Sequence, residues 1–144
     1  MHLESTSKAD AIRELLNKAH AFKKVRDLPA LEQAILAREK VMTTGIGRGV
    51  AISHGEAPEL PSVLVALGIS CDGIDFDAVD GKPVHFLFVI VNSRLKRAEY
   101  LEVLSTLTKV MRSEDIRHSV SGCTCSGDIQ DTLHAAFHRL QMFA

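Results

Sequence analysis

Apolar positions recur at helical spacing close to the start of the chain. Ser7 followed by Asp10 reads as a capping signal, and Ile12, Leu15, Leu16 and Ala19 then share one face, predicting a helix from about Lys8 to His20. A second helix begins near Asp27, where Asp27 caps and Pro29 suits a first turn. Leu31, Ile35 and Leu36 form its buried stripe as far as Lys40. The next segment, TTGIGRGVAISHGEAPELP, carries three closely spaced glycines that forbid a regular helix and lead into a short strand around Val50 to Ile52.

Alternation then replaces the helical period. Val63, Val65, Leu67 and Ile69 alternate with Leu64, Ala66, Gly68 and Ser70, a strand with at least one buried face. Val84 to Val91 is an almost unbroken β-branched and aromatic run behind Asp80-Gly81 and Pro83, which reads as a central strand covered on both sides. CDGIDFDAVDGKP between them is a turn-rich loop. From about Arg97, Leu101, Leu104, Thr108 and Met111 fall on one helical face. Ser126 caps a last helix with Ile129, Leu133, Phe137 and Leu140 inside. The order of elements predicts an α/β fold: one domain over residues 1–144, with a mixed central sheet of about five strands flanked by helices on both faces.

Composition narrows the function classes. A 144-residue chain with 46% apolar and 24% charged residues has the make-up of one ordinary globular domain. Seventeen Lys and Arg against 18 Asp and Glu leave a net charge of −1 without blocks of one sign. Nothing in that balance indicates nucleic acid or an anionic membrane surface. The polar start lacks the order of a signal peptide, and the longest apolar run is too short to span a bilayer. With Cys71, Cys123 and Cys125 an odd set, a reducing cytoplasm is the expected compartment. Proteins or small molecules remain as partners.

The stretch TTGIGRGVAISHG resembles the active-site signature of type-2 enzyme IIA domains of the bacterial sugar phosphotransferase system, the fructose/mannitol/nitrogen-regulatory class. The resemblance extends upstream to the Arg38-Glu39 pair and downstream to GIDFDAVDGKPVHFLFVIV, and runs from about Lys8 to Leu140. It implies a phosphoryl relay. In the family a histidine, here His54, accepts a phosphoryl group from the phosphocarrier HPr or its nitrogen-branch counterpart. It then passes the group to a IIB partner, with no cofactor or metal. The residue type suits that task, because an unperturbed imidazole titrates at about 6.5 and offers a neutral ring nitrogen as nucleophile. A second reading in the same family is a nitrogen-regulatory protein that binds regulatory targets according to its phosphorylation state. A third is a degenerate member that binds without turnover.

Four further residues are candidates to stabilise the phosphoryl group: the Thr44 hydroxyl, the Arg48 guanidinium, Tyr100 and His85. Tyr100 stands where many family members have a second histidine. It donates a hydrogen bond as a neutral phenol, or else merely packs at a helix start. Ser53 replaces the usual proline before the accepting histidine, and Val91-Asn92-Ser93 replaces the proline after the central strand. His85 interrupts an apolar strand, and reads either as a group that approaches His54 across neighbouring strands or as a satisfied structural histidine. Cys123 and Cys125 beside His118 have the wrong spacing for a zinc pair, and His134 with His138 lacks the glutamate of the helical zinc motif. Asp72, Asp75, Asp77 and Asp80 are separated by hydrophobic Ile74 and Phe76, so a packed loop is expected there rather than a cation site.

Overall fold

A computed structural model describes residues 1–122 and 126–142. It divides into two compact units, Met1–Tyr100 and Leu101–Ala144. The first contains α1 (Lys8–Lys18), α2 (Leu28–Val41), β1 (Gly45–Gly47), β2 (Val50–Glu56), β3 (Leu64–Ile74) and β4 (Val84–Asn92), with short 3-10 turns at His20–Lys24 and Arg94–Lys96. The helix α3 (Arg97–Arg112) crosses the boundary. The second unit adds α4 (Glu114–Ser121) and α5 (Ser126–Met142).

Both early helices start where their caps predict. The Ser7 hydroxyl accepts from the Asp10 N–H at 3.3 Å, and the Asp27 carboxylate accepts from the Ala30 N–H at 3.0 Å. On α1, Ala11, Ile12, Leu15 and Leu16 are buried; on α2, Leu31, Ile35 and the charged Glu39 are. These helices pack with Ala51, Leu87, Val89 and Val91, alternate residues of β2 and β4, to form the main core.

The sheet among the described residues has four strands, not about five, in the order β1-β2-β4-β3. β2 and β4 run parallel, while β1–β2 and β3–β4 are antiparallel. A further edge segment exists only in outline. The N-terminal residues run beside β3, with Leu3 N–H donating to the Ile69 carbonyl and Ile69 N–H to the Met1 carbonyl, each at 2.8 Å. The pairing stops at isolated bridges, His2 with Ile69 and Ser7 with Asp75. β3 is irregular between Ile69 and Ile74, so no continuous ladder forms along that edge.

Gly55 sets how closely α2 approaches β2. A Cβ at this position would lie 2.7 Å from both Ile35 Cγ1 and Leu31 Cδ1. Gly55→Ala is therefore expected to destabilise the protein by about 1–3 kcal/mol, from overpacking, in a urea titration followed by circular dichroism.

In the second unit, the late part of α3 buries Leu107, Val110 and Met111, whereas Leu101 is 52% exposed, so the apolar stripe lies in a different phase from the expected one. Arg117 closes the C-terminus of α3 by donating to the Met111 and Arg112 carbonyls. Sequence patterning missed α4, an eight-residue helix that buries only Val120. Ile129 of α5 is buried and Leu133 half-buried. Cys123 and Cys125 lie outside the described residues, as do the side chains of Ser126, Phe137 and Leu140. No helix among the described residues is long and apolar enough to cross a membrane.

Candidate functional site

The glycine segment folds as β1, a tight turn and β2. Gly47, Arg48 and Gly49 all have positive φ (93°, 58° and 75°), a run that two glycines make affordable around one strained arginine. The turn is pinned from outside. The Arg48 N–H donates to Asp80 Oδ2 at 3.0 Å and the Lys82 N–H to Asp80 Oδ1 at 3.1 Å. Donation from Lys82 and Arg48 holds the Asp80 carboxyl below its ordinary pKa.

The strand that follows is longer than expected and carries His54 within it, opposite Ile90 of β4. Alternation puts Ala51, Ser53 and Gly55 on the α2 side of the sheet and Val50, Ile52 and His54 on the other. The His54 ring is half-buried and tilted 48° to the Tyr100 ring, with 5.7 Å between centroids. Its Nδ1 is buried and makes no hydrogen bond; the Ile52 carbonyl pulls on the ring without reaching bonding geometry. Burial pushes the His54 pKa below its usual value and the Arg38 guanidinium lowers it further. The Ile52 carbonyl and the Glu39 carboxylate act in the opposite sense. Burial raises the Tyr100 phenol and Arg38 partly offsets that. One cation thus acts on both rings.

Arg38 and Glu39, neighbours in the last turn of α2, lead to different parts of the site. Arg38 Nη1 donates to the Met42 carbonyl at 3.0 Å. Glu39 is 6% exposed and accepts from the Thr44 N–H at 3.2 Å, from the Thr44 hydroxyl, and from the Ser53 hydroxyl at 3.1 Å. Thr44 Oγ1 and Ser53 Oγ lie 3.0 Å apart, and Lys8 Nζ stands 3.5 Å from Glu39 Oε2.

Of the residues expected around His54, only Tyr100 touches its ring. Thr44 is held by Glu39, and its single hydroxyl proton is engaged there. Arg48 sits at the opposite end of β2, beyond Val50, which is roughly 13 Å along the strand from His54. His85 is five residues from Ile90 on β4, roughly 17 Å along the strand. Its Nδ1 lies 2.8 Å from the Ser70 carbonyl, and its ring fits against Gly49 and Gly73, the position of a structural histidine. The expected loop begins later than the sequence suggests, because β3 runs on through Asp72 to Ile74; beyond it Asp77 pairs with Lys8 at 3.6 Å, Asp80 holds the turn, and Ile74 and Phe76 are fully buried. Among the described residues no group of three or more His, Cys, Asp or Glu is placed to hold a metal ion. Sequence reasoning missed the electrostatic influence of Arg38 on the His54 ring and the bond from Ser53 to Glu39. The Arg38-Glu39 pair was the available signal for both.

The profile of the phosphoenolpyruvate-dependent sugar phosphotransferase system EIIA 2 family matches residues 1–136. The chain belongs to this family. As a type-2 EIIA chain it is 35% identical over 127 residues to the fructose-specific EIIA component of Haloferax volcanii, covering 88% of this chain and 82% of that protein. It is also 35% identical over 117 residues to the fructose-specific EIIABC component of Bacillus subtilis, where the match takes in 81% of this chain but only 18% of the larger protein. The crystal structure of the nitrogen regulatory protein IIA-Ntr from Neisseria meningitidis superposes with a TM-score of 0.75 at 29% identity, covering 92% of this chain and 90% of that one. The type-2 EIIA family is one of phosphoryl carriers, and its members include both sugar-transport components and nitrogen regulators.

Proposed function

We propose that His54 is the phosphoryl acceptor of this EIIA domain and that Nε2 is the atom that forms the bond. The observation that carries this reading is the ring itself: half-buried, stacked at a tilt on Tyr100, with Nδ1 sealed inside, and with burial first and Arg38 second holding its pKa below the usual imidazole value. The Nε2 lone pair attacks the phosphorus of a phosphohistidine on an HPr-like carrier. The donor P–N bond breaks as the Nε2–P bond forms, and the electron pair returns to the donor ring. The transition state is loose and its charge lies on the equatorial oxygens, so catalysis reduces to positioning and electrostatics. Arg38 supplies positive charge, and neutral Tyr100 donates its hydroxyl proton.

The natural onward partner is a IIB component, consistent with the much longer EIIABC relative. Its likeness to nitrogen regulators supports a second outcome, a phosphorylation-dependent contact with regulatory targets. Both are readings of a cytoplasmic protein, and the family match across residues 1–136 supports taking the chain as one EIIA domain. Incubation with phosphoenolpyruvate, enzyme I and HPr, followed by intact-mass measurement, is expected to show one added phosphoryl group. Loss of that group on addition of a sugar-specific IIB protein marks the transport role, and its retention marks the regulatory one. Tyr100→Phe removes the phenolic donor while keeping the ring contact, and is expected to shorten the half-life of the phosphorylated form about tenfold. An unchanged half-life would mean that Tyr100 serves only as packing.

A further inference from the structure

Glu39 occupies an unfavourable place for a carboxylate. It is 6% exposed and lies in the last turn of α2, where the helix dipole repels negative charge. Burying a charge in this way is costly, and an apolar side chain would fill the same space without that cost. The charge is held by four groups from three segments: Lys8 at the start of α1, the Thr44 N–H and hydroxyl before β1, and the Ser53 hydroxyl within β2. Lys8 is itself fixed, with Nζ 3.6 Å from Asp77 and 5.1 Å from the centre of the Phe76 ring.

An apolar contact resists compression but does not specify direction, whereas these bonds fix lengths and angles. The two hydroxyl protons allow few arrangements. The Thr44 proton goes to Glu39, and the Ser53 proton is shared between Glu39 and the Thr44 oxygen. Ser53 directly precedes His54 and points to the other side of the sheet, so whatever fixes the Ser53 side chain also fixes the backbone from which the imidazole projects. Arg38 precedes Glu39 on the helix. One carboxylate therefore ties together the segments that present the cation and the nucleophile.

We propose that Ser53, Thr44 and Glu39, balanced by Lys8, are positioning residues for phosphoryl transfer, clamping β2 to α2 so that the His54 ring is held in fixed relation to Arg38. This rests on His54 being the acceptor. Ser53→Ala and Glu39→Gln are each expected to lower kcat for phosphoryl uptake from HPr roughly tenfold, since small misplacements of reacting groups carry large penalties. KM for HPr is expected to stay unchanged, because neither side chain is exposed to a partner. Ser53→Thr keeps the hydroxyl and is expected to restore kcat. The imidazole 15N resonances of His54 provide a readout independent of activity, and are expected to shift or broaden in Ser53→Ala. A Ser53→Ala protein with wild-type kcat and unaltered ring resonances, even one with a lower Tm, would overturn the clamp. Should Glu39→Gln fail to fold, Ser53→Ala alone decides. If the wild-type protein takes up no phosphoryl group, the acceptor assignment fails, and the ring resonances still report whether the clamp positions His54.

Discussion

His54→Ala is expected to reduce phosphoryl uptake below detection while leaving the fold intact. His85, the other histidine within a strand among the described residues, offers no bypass, because it is turned to the Ser70 carbonyl at the far end of β4. His85→Ala is therefore expected to retain the label. The stability of the His54 variant follows from the same geometry. Nδ1 is a buried polar atom without a hydrogen bond, so truncation removes an unfavourable group together with the ring's packing against Tyr100. The two effects oppose each other, and Tm should move by only a few degrees. Intact mass after incubation with phosphoenolpyruvate, enzyme I and HPr measures the first expectation, and a thermal melt the second. Label that survives in a folded His54→Ala protein would refute the acceptor assignment.

What the sequence showed and what it concealed divide along physical lines. α1, α2 and β4 were legible because each has a strong local signal: Ser7 and Asp27 as caps, Pro29 in a first turn, and an apolar run from Val84 to Val91 interrupted only by His85. α4 was not, since a short helix with one buried residue has no apolar period to detect. The segment 1–3 beside β3 is held by backbone bonds to Leu67 and Ile69, which leave no mark in side-chain patterning. At the site, His54 and Tyr100 were singled out by motif resemblance and their rings stand side by side, whereas Arg48, a candidate for the same place, lies at the far end of β2. That separation has a cause. Arg48 is close to His54 in sequence, but it lies in the turn before β2, and the extended strand from Val50 carries His54 away from it. Arg38 is sixteen positions away, and its influence on His54 arises from the close packing of α2 on β2, which the missing side chain of Gly55 permits. Ser53 is concealed for a similar reason. In sequence it is a departure from a family proline, and only the buried Glu39 gives its hydroxyl a partner.

Arg38→Gln is expected to slow phosphoryl uptake about a hundredfold, the usual scale for losing one preorganised donor at a site of developing negative charge. Arg38→Lys should fall between, because it keeps the charge but loses the planar fork that fits phosphoryl oxygens. The same substitution predicts a change in titration. Arg38 is the second-largest cause of the depressed His54 pKa, after burial, so its removal moves the midpoint up toward the ordinary value of 6.5. The sign for stability follows from linkage. In the wild type the native state takes up the His54 proton less readily than the unfolded chain. His54 therefore favours folding above about pH 6.5, and that contribution is lost as pH falls through the native midpoint. In Arg38→Gln the interval between the two midpoints narrows, and so does the acid-dependent loss attributable to this ring. Uptake also changes with pH in a distinguishable way. The variant's rate should begin to fall at a higher pH than the wild type's, because only the neutral imidazole attacks. NMR titration of the His54 ring measures the midpoint, and uptake from HPr between pH 5 and 8 measures the rate. A midpoint that does not move, together with a rate within about threefold of wild type, would place the Arg38 charge outside the reacting centre.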